Sequence, residues 1–529
     1  MNAGPHMTRR SARTGLGLLI IIVNLGGSAL LIPLVRHAGF VYDDELVVAR
    51  ERCLADIRIA QLFTRDYYER SGESTYRPLV TASYILDNAL YGDTPAGYHA
   101  TNLLLAALAG SIFGLFALRW GSWGGILAAV TFTVAAGPLE AIAGIAFRED
   151  LLAACGVLGS LLLFTRFVQA RRGWPWLAAV VGTYGLALAA KESAIATPLL
   201  VAVTARFMAP PAERRLVSCL IALAVVTGLF LTVWFVILPA PAPYAPQAPP
   251  LVERLAAAPG ALVFHLHTGF FPTRLSVEHP APESSLAAWL VTLAFISVLA
   301  AGWRGRSPAA MGLALFLVAL LPVLGIFPAL LNPVAERYLY LPMTGLALAI
   351  GHGVSAATRR LPRAPAIALI LGAAALWVVR PAIVRQRHLP VWFNDISLWT
   401  AATDNAPRSA RAHFNLGRAM ARQGRLDRAE RELLRADELE PGVGVVNLQL
   451  GLLYDRRSNL RAAATHYRAA MENGVRTFQV YNNLGIVLAK SGQYEEAVQR
   501  FQQALVLQPG SLMAAANLEK AREMAAHHP

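Results

Sequence analysis

The apolar segments of this chain limit its fold most strongly. Up to about residue 383, apolar runs of roughly 17–23 residues alternate with short loops, and each run is close to the length that a helix needs to cross a bilayer. We count about eleven such runs. Because the bilayer core offers backbone groups no water, such segments cross it as helices. The length of the first run, near residues 15–35, favours an uncleaved anchor over a signal peptide.

Composition agrees with an integral membrane protein that carries a soluble part. Of the 529 residues 55% are hydrophobic and 15% are charged, and the length indicates more than one domain. The net charge is +14, but the arginines interrupt apolar runs and form no basic stripe on a soluble face, which argues against nucleic-acid binding. The three cysteines, Cys53, Cys155 and Cys219, indicate neither a disulfide framework nor a metal cluster.

Arginines occur in every second loop between the apolar runs. The positive-inside rule makes those loops, and the N-terminus, cytoplasmic. An odd number of spans then places the C-terminal part outside the cytoplasm. The arginines that define this pattern are Arg9, Arg10, Arg13, Arg119, Arg166, Arg171, Arg172, Arg206, Arg214, Arg215, Arg304, Arg306, Arg359, Arg360 and Arg363.

The C-terminal part repeats with a period of 34 residues. Gly417, Gly451 and Gly485 share this phase, as do three further sets of residues. A 34-residue period with small residues where two helices cross is the tetratricopeptide (TPR) pattern. About three repeats fit, followed by a capping helix. TPR arrays usually bind peptides or proteins in a groove, and a rigid spacer or a dimerisation face is the alternative. The other sets are Leu416, Leu450 and Leu484; Ala429, Ala463 and Ala497; Ala436, Ala470 and Ala504.

These patterns predict an all-α chain with two domains. Residues 1–383 form a polytopic membrane domain whose first outer loop is about 36–97, residues 384–404 form a linker helix, and residues 405–529 form the TPR domain.

Most of the unusual polar residues lie in the loops that this topology places outside the cytoplasm. Charges at span ends that all face one side indicate a shared polar cavity at that surface. The candidates are Asp43, Asp44, Arg77, His99, Asn102, Glu140, Arg148, Asp150, Lys191, Glu192, Glu336, Arg337 and Tyr340.

Each candidate also has a purely structural interpretation. A charge at a span end is often simply solvated. Glu336 with Arg337, and Lys191 with Glu192, could be structural ion pairs, and Arg77 could belong to a turn. His99 and Asn102 could form a helix cap or bonds between helices. Asp43 and Asp44 fit this interpretation least, because adjacent carboxylates repel unless a cation, a proton or a substrate occupies them.

A carboxylate at the outer membrane surface, with arginines nearby, suits glycosyl transfer from a lipid-phosphate sugar. The carboxylate removes the proton of the acceptor hydroxyl. Arginine holds the phosphate leaving group with two hydrogen bonds and stabilises its growing charge. The lipid tail stays in the bilayer, which explains a site at this depth.

Five motifs in this order, followed by TPRs, resemble the transmembrane-and-TPR-containing O-mannosyltransferases over nearly the whole chain: "VYDDELVV", "YRPLVTASYILDNALYGDTPAGYHATNLLL", "EAIAGIAFREDLLAA", "AKESAIATPLLVA" and "ERYLYLP". The resemblance implies a C-type glycosyltransferase fold, a polyprenyl-phosphate sugar donor such as mannose, inversion at the anomeric carbon, and capture of an acceptor protein by the TPRs. Few repeats, the lack of a retention signal and the arginine-rich composition favour a bacterial relative in the inner membrane.

The resemblance also implies roles for individual residues. Asp43 matches the acid that acts as base, and Asp44 is expected to orient the acceptor or a cation. Residues expected at the donor are Arg337, Arg148, Lys191, Glu336, Tyr340 and Arg77, and those expected at the acceptor or sugar are His99, Asn102, Glu140, Asp150 and Glu192. The sequence establishes no cofactor and leaves metal dependence open; Asp43 and Asp44 are the candidate ligands if a divalent cation takes part. The segment before Glu140 lacks two histidines that the family often has, so no role for them carries over.

Two other function classes fit parts of the pattern. A non-catalytic scaffold would use the membrane part only to anchor the TPRs, and it predicts that Asp43, Asp44 and Arg337 tolerate substitution. A lipid or solute transporter would favour charges within spans and inverted repeats.

Overall fold

The computed structural model describes residues 5–44, 59–65, 75–208, 212–237, 250–326 and 334–527, and side chains from residue 14 onward with a few further gaps at the ends of these ranges. All regular secondary structure in these ranges is helical. The chain divides into two units, Met1–Asn394 and Asp395–Pro529. This boundary falls inside the predicted linker at 384–404. Much of the predicted first outer loop, at 45–58 and 66–74, lies outside the described residues, as do the side chains of Arg9, Arg10 and Arg13.

The first unit contains sixteen described α-helices, which are numbered in chain order. They are α1 Pro5–Ala29, α2 Ile32–His37, α3 Pro78–Tyr91, α4 Pro95–Ala117, α5 Ser122–Val134, α6 Leu139–Ala143, α7 Arg148–Gln169, α8 Trp174–Ala190, α9 Thr197–Arg206, α10 Ala212–Ile237, α11 Leu251–Phe270, α12 Leu286–Arg304, α13 Pro308–Leu320, α14 Pro342–Thr358, α15 Arg363–Ala374 and α16 Arg380–His388.

Short helical turns connect several of these helices. They are 3₁₀ turns at Ile59–Phe63, Leu118–Trp120, Ile145–Phe147, Glu192–Ala196, Leu321–Val323, Glu336–Leu339 and Leu389–Phe393, and a π-helical turn at Ala375–Val379 that joins α15 to α16. Proline stands at the first position of α3, α4, α13 and α14. Its fixed φ and missing N–H suit that position, which is why these sequences begin helices there.

Six described segments are long and apolar enough to cross a membrane: Thr14–His37, Pro95–Trp120, Ile145–Gln169, Arg214–Val236, Leu286–Arg304 and Arg363–Phe393. Three shorter apolar helices, Ser122–Val134, Trp174–Ala190 and Pro308–Val323, accompany them. The predicted all-helical fold class, a multi-pass membrane domain followed by TPRs, is therefore confirmed. The count of eleven spans stays a prediction.

The basic loops of the first unit contact one another. Arg215 donates hydrogen bonds to backbone carbonyls at Phe167, Val168 and Ala170, which joins the start of α10 to the end of α7. Phe207, at the end of α9, packs edge-on against Trp303 near the end of α12, with ring centroids 5.2 Å apart. Arginine loops far apart in sequence thus meet at one end of the bundle, as the alternating pattern requires.

The first and last apolar segments of the unit end side by side. The N–H of Gly39 donates to the carbonyl of Phe393 at 3.0 Å, and the rings of His37 and Phe393 lie 5.5 Å apart. The chain therefore leaves the first unit beside the loop that carries Asp43 and Asp44.

The second unit is a stack of helix pairs. Its helices are α17 Asp395–Asn405, α18 Ala410–Arg422, α19 Leu426–Leu439, α20 Gly444–Arg456, α21 Leu460–Glu472, α22 Phe478–Lys490, α23 Tyr494–Leu507 and α24 Leu512–His527. The last of these is the predicted capping helix. The glycines of the 34-residue period sit at the crossing of each pair: a Cβ on Gly451 would lie 2.7 Å from the ring of Tyr467. The repeat is therefore set by close approach of paired helices.

Candidate functional site

The segment after α2 places the two predicted carboxylates in different environments. Tyr42 has a φ of 60°, in the left-handed region that residues other than glycine rarely occupy. The turn that follows leaves Asp43 exposed, whereas Asp44 is 0% exposed. The two acids are thus adjacent in the sequence, but in the fold one side chain is exposed and the other is buried.

Asp44 is bound to backbone on both sides. Its Oδ2 accepts the N–H of Val41 at 3.1 Å, and its Oδ1 accepts the N–H of Ala146, just before α7, at 2.7 Å. Burial raises the pKa of Asp44 to about 7, although these backbone hydrogen bonds act to lower it. Because both oxygens already have backbone partners, Asp44 fastens the loop to the start of α7. This geometry does not favour the predicted role of orienting an acceptor or a cation.

Arg337 lies close to this turn and is oriented by Glu140. Glu140, which is 1% exposed, accepts both the backbone N–H of Arg337, at 2.8 Å, and a hydrogen bond from its Nη1. The guanidinium lies 4.4 Å from the ring centre of Phe147, and the rings of Phe147 and Tyr42 lie 5.4 Å apart. Phe147 therefore connects Arg337 to the residue that precedes Asp43.

The charge state of Arg337 follows from these neighbours. Burial by itself lowers the pKa of the guanidinium, but Glu140 and the other acidic neighbours together raise it by more, so Arg337 stays charged. Within the described part of the chain, neither Nε nor Nη2 has a hydrogen-bond partner, and the side chain is 11% exposed. Two guanidinium nitrogens are therefore available to an anion.

A second set of charges continues from Arg337. Lys191 donates to Asp150 at 2.6 Å, and its Nζ lies 5.7 Å from the ring centre of Tyr338. Arg77 binds Glu192 through two nitrogens, at 2.8 and 3.1 Å, and Glu149 through a third, at 3.2 Å. These contacts bring the start of α3, the start of α7 and the end of α8 into one polar layer with Arg337. The fold thus brings these predicted residues together, while the shared cavity stays a prediction.

The sequence neighbours do not pair with each other. Glu336 does not form the structural ion pair with Arg337 that the sequence allows: it accepts the N–H of Ser276 at 2.6 Å and bonds His279 at 2.9 Å. Burial raises the pKa of Glu336 to about 7, against the lowering effect of His279. Lys191 pairs with Asp150 and not with its neighbour Glu192. Each acid or base at these positions is bound by a residue from a different segment.

Arg148 has a different environment from the one that a phosphate-binding arginine needs. It is 0% exposed, and all three of its nitrogens are bonded: Nε to Asn102 at 2.8 Å, Nη1 to Ser83, and Nη2 to Asp87 at 2.6 Å and to the carbonyl of Tyr98. Arg148 therefore joins α3 and α4 to α7. Its predicted contact with the donor phosphate is not favoured by this geometry.

The remaining candidates have structural contacts. Asn102 also donates to the carbonyls of Ile142 and Gly144, which are the bonds between helices that its alternative interpretation predicts. His99 Nε2 lies 3.4 Å from the carbonyl oxygen of Gly39. Tyr340 is 1% exposed, and its hydroxyl has no partner within the described ranges.

Sequence reasoning missed several residues of this region. Asp87 and Thr101 form a bonded pair behind Arg148, and His279 holds Glu336. No local pattern marks these residues, because their partners are supplied by packing. Among the described residues no group of three or more histidine, cysteine, aspartate or glutamate side chains could hold a metal ion. The predicted cation at Asp43 and Asp44 stays a prediction.

These features define a multi-pass helical membrane protein with a TPR domain. The tetratricopeptide repeat family profile matches residues 396–442 and 448–511. The chain is similar to Protein O-mannosyl-transferase TMTC3 of Mus musculus, with 22% identity over 89% of this chain and 58% of the mouse protein. It is also similar to Protein O-mannosyl-transferase F38B6.6 of Caenorhabditis elegans, with 22% identity over 81% of this chain and 63% of the nematode protein.

The predicted resemblance to TPR-containing O-mannosyltransferases is thereby confirmed, and it supports a membrane glycosyltransferase. The chain spans less than two thirds of the length of the curated relatives it matches first. Among solved structures, apo ArnT from Cupriavidus metallidurans matches with a TM-score of 0.40 and 16% identity, over 83% of this chain and 81% of that chain.

Proposed function

We propose that this protein transfers a sugar, mannose in the first instance, from a polyprenyl-phosphate donor to a hydroxyl group of an extracytoplasmic protein. The proposal depends mainly on one observation: Asp43 is an exposed carboxylate on a turn that Asp44 fastens in place, close to the available guanidinium of Arg337. The names of the similar proteins support the same reaction class.

The proposed chemistry uses this arrangement in one displacement. Asp43 takes the proton of the acceptor hydroxyl, and the oxygen attacks the anomeric carbon from the face opposite the phosphate. The bond from that carbon to the phosphate oxygen breaks, which inverts the anomeric centre and leaves the lipid phosphate. Arg337 donates two hydrogen bonds to the leaving phosphate and stabilises its charge, while Glu140 keeps the guanidinium in position.

The location we propose follows from the same geometry. The polar layer is at the end of the bundle opposite the arginine-rich loops, so it faces the outer side of a bacterial inner membrane. The TPR unit presents the acceptor protein. A divalent cation is not needed for this displacement, because Arg337 and Lys191 already supply positive charge to the layer.

Substitution of Asp43 tests the proposal. Asp43→Asn keeps the shape of the side chain and removes its basicity, so the transfer rate should fall by roughly 10²–10⁴-fold. Donor binding should change little, because the phosphate is held by Arg337. The measurement uses purified protein, polyprenyl-phosphate mannose and envelope extract. Asp93→Asn, an exposed carboxylate of the same outer segment, is the matched control and should keep near-wild-type turnover.

Near-wild-type turnover of Asp43→Asn together with an inactive Asp44→Asn would mean that Asp44, and not Asp43, is the base. Near-wild-type turnover of the double variant would contradict the glycosyltransferase proposal and favour a scaffold.

A further inference from the structure

A second set of polar side chains lines a cleft of the membrane unit. The enclosed space of the cleft is small, and the cleft is open on one side. α1, α5 and α16 form its walls, together with Tyr340. Its lining includes the polar side chains of Asn24, Thr133, Tyr340 and Arg385 and the apolar side chains of Leu31 and Phe132. A lining that combines polar and apolar side chains suits an amphipathic ligand.

Arg385 is a buried cation in this cleft. It is 1% exposed, its Nη1 donates to the carbonyl of Thr133 at 2.6 Å, and its Nη2 lies 3.4 Å from the carbonyl oxygen of Gly27. Within the described part of the chain, Nε has no partner and none of the contacts of Arg385 is a carboxylate. A buried charge is costly unless an opposite charge accompanies it. Arg385 is therefore a buried charge without a carboxylate partner among the described residues. An anionic ligand would supply that partner.

Tyr340 contributes a second donor to the same cleft. Its side chain is 1% exposed, its ring packs against Phe132 with centroids 5.6 Å apart, and its hydroxyl has no partner in the ranges described. Buried hydroxyls are usually hydrogen-bonded. Two unpartnered donors, one charged and one neutral, thus line one cleft, which is the donor set that a phosphate oxygen requires.

Two of the segments that line the cleft lie at the periphery of the bundle. Only 28% of the apolar window in Thr14–His37 and 11% of that in Arg363–Phe393 is buried inside the protein. Both segments therefore lie at the periphery of the bundle, where their remaining surface faces lipid. A ligand that enters between them comes from the membrane rather than from water.

We propose that this cleft binds the head-group phosphate of a membrane glycerophospholipid, with Arg385 and the Tyr340 hydroxyl as its donors and the acyl chains along the apolar wall. Its cation is not the one proposed to hold the sugar donor: Arg337 is oriented by Glu140, whereas Arg385 has carbonyl partners. The inference goes beyond the proposed function, since lipid binding here requires no sugar transfer.

Tyr340→Phe is the sharpest test, because it removes only a hydroxyl that no described group bonds. Native mass spectrometry of the purified, delipidated full chain measures the affinity for phosphatidylglycerol. The affinity should fall roughly 10- to 100-fold, as expected for loss of a hydrogen bond to a charged group. The thermal stability without lipid should be unchanged or higher. Tyr184→Phe is the matched control: Tyr184 is equally buried, bonds Thr227 at 2.6 Å and does not line the cleft, so its loss should leave the affinity unchanged.

Arg385→Gln provides the second variant. It removes the charge and keeps an amide donor near the carbonyls of Thr133 and Gly27, and it should weaken phosphatidylglycerol binding at least as much as Tyr340→Phe. Equal affinity of the wild type and Tyr340→Phe would overturn the proposal. If diacylglycerol binds as tightly as phosphatidylglycerol, the proposed role of the phosphate is wrong. If inorganic phosphate binds as tightly as phosphatidylglycerol, the ligand is not a lipid. A preference of tenfold or more for polyprenyl phosphate would make the cleft the donor site and overturn its separation from it.

Discussion

Adjacent polar residues in this protein have separate partners. Asp43 is exposed and Asp44 is buried, and Lys191 binds Asp150 while Glu192 binds Arg77. Consecutive residues on a helix or turn point in different directions, so they reach different neighbours. When two charged residues are adjacent in the sequence, the sequence therefore does not indicate which of them can react. At this site the exposed member of the first pair, Asp43, is the one that we propose for proton transfer.

The raised pKa of Asp44 predicts a pH-dependent contribution to stability. Burial raises its pKa from 3.8 to about 7, so between these values the folded protein holds a proton that the unfolded chain has released. The contribution of Asp44 to the free energy of unfolding therefore falls as pH rises through about 4 to 7, by roughly 1.4 kcal/mol for each unit of pKa shift. Thermal unfolding of the wild type and of Asp44→Asn at several pH values isolates this term. A stability difference that stays constant across the window would contradict it.

Arg337 provides a second prediction at this scale. Arg337→Lys keeps the charge but loses the planar pair of donors, so donor binding should weaken and transfer should slow together. Steady-state kinetics with varied polyprenyl-phosphate mannose measure both effects. Arg215→Lys makes the same change among the arginine-rich loops, where Arg215 bonds backbone carbonyls, and should leave KM for the donor unchanged. A KM shift in the control as large as that of Arg337→Lys would mean that the effect is not local.

At the scale of elements, helix pairs are set by small residues where they cross. In the TPR unit, Gly451 in α20 faces the Tyr467 ring in α21, and Gly417 and Gly485 face Leu433 and Phe501 in the same way. In the membrane unit, Gly345 in α14 lies against the backbone of α13. Close approach lets paired helices bury their facing side chains, and it explains why small residues mark the period in the sequence.

Gly451→Ala should therefore destabilise the TPR unit. A Cβ would lie 2.7 Å from two ring atoms of Tyr467, which is 0% exposed and has little room to move. Overpacking of this kind costs about 1–3 kcal/mol. Hydrogen exchange of α20 and α21 in the full chain reports the local effect. Gly510→Ala, which meets nothing within 4 Å, is the control, and equal protection in all three proteins would rule out the packing argument.

At the scale of the whole molecule, the first unit is polarised. Arginine-rich loops meet at one end, and the polar layer with Asp43 and Arg337 is at the end where the chain leaves for the TPR unit, beside Gly39. The predicted odd number of spans would put these two ends on opposite sides of the membrane. A shared outer location of the site and the TPR unit is what transfer to an extracytoplasmic acceptor needs.

Reporter fusions test this orientation. A reporter that is active only outside the cytoplasm, fused after Pro529, should be active, because the predicted topology ends the last span on the side opposite the arginine-rich loops. The same reporter inserted after Arg306, in one of those loops, should be inactive. The reverse result at both positions would place the polar layer in the cytoplasm and remove the basis of the proposed reaction.

The sequence by itself determined the parts of this protein that depend on local pattern. Apolar runs of bilayer length predict helices wherever they occur, and a 34-residue period predicts helix pairs, because each signal depends on near neighbours along the chain. The polar layer was also foreseen, since charges at the ends of alternate spans must meet on one side.

The tertiary structure alone decided what each polar residue does. Arg148 and Arg337 both follow the motif of the resembling family, yet packing buries one against Asp87 and leaves two nitrogens of the other available. Arg385 carries no motif, and only the approach of α1 and α5 makes it a buried cation. Burial and partners come from segments hundreds of residues apart, such as Glu140 and Arg337, and no local pattern encodes them.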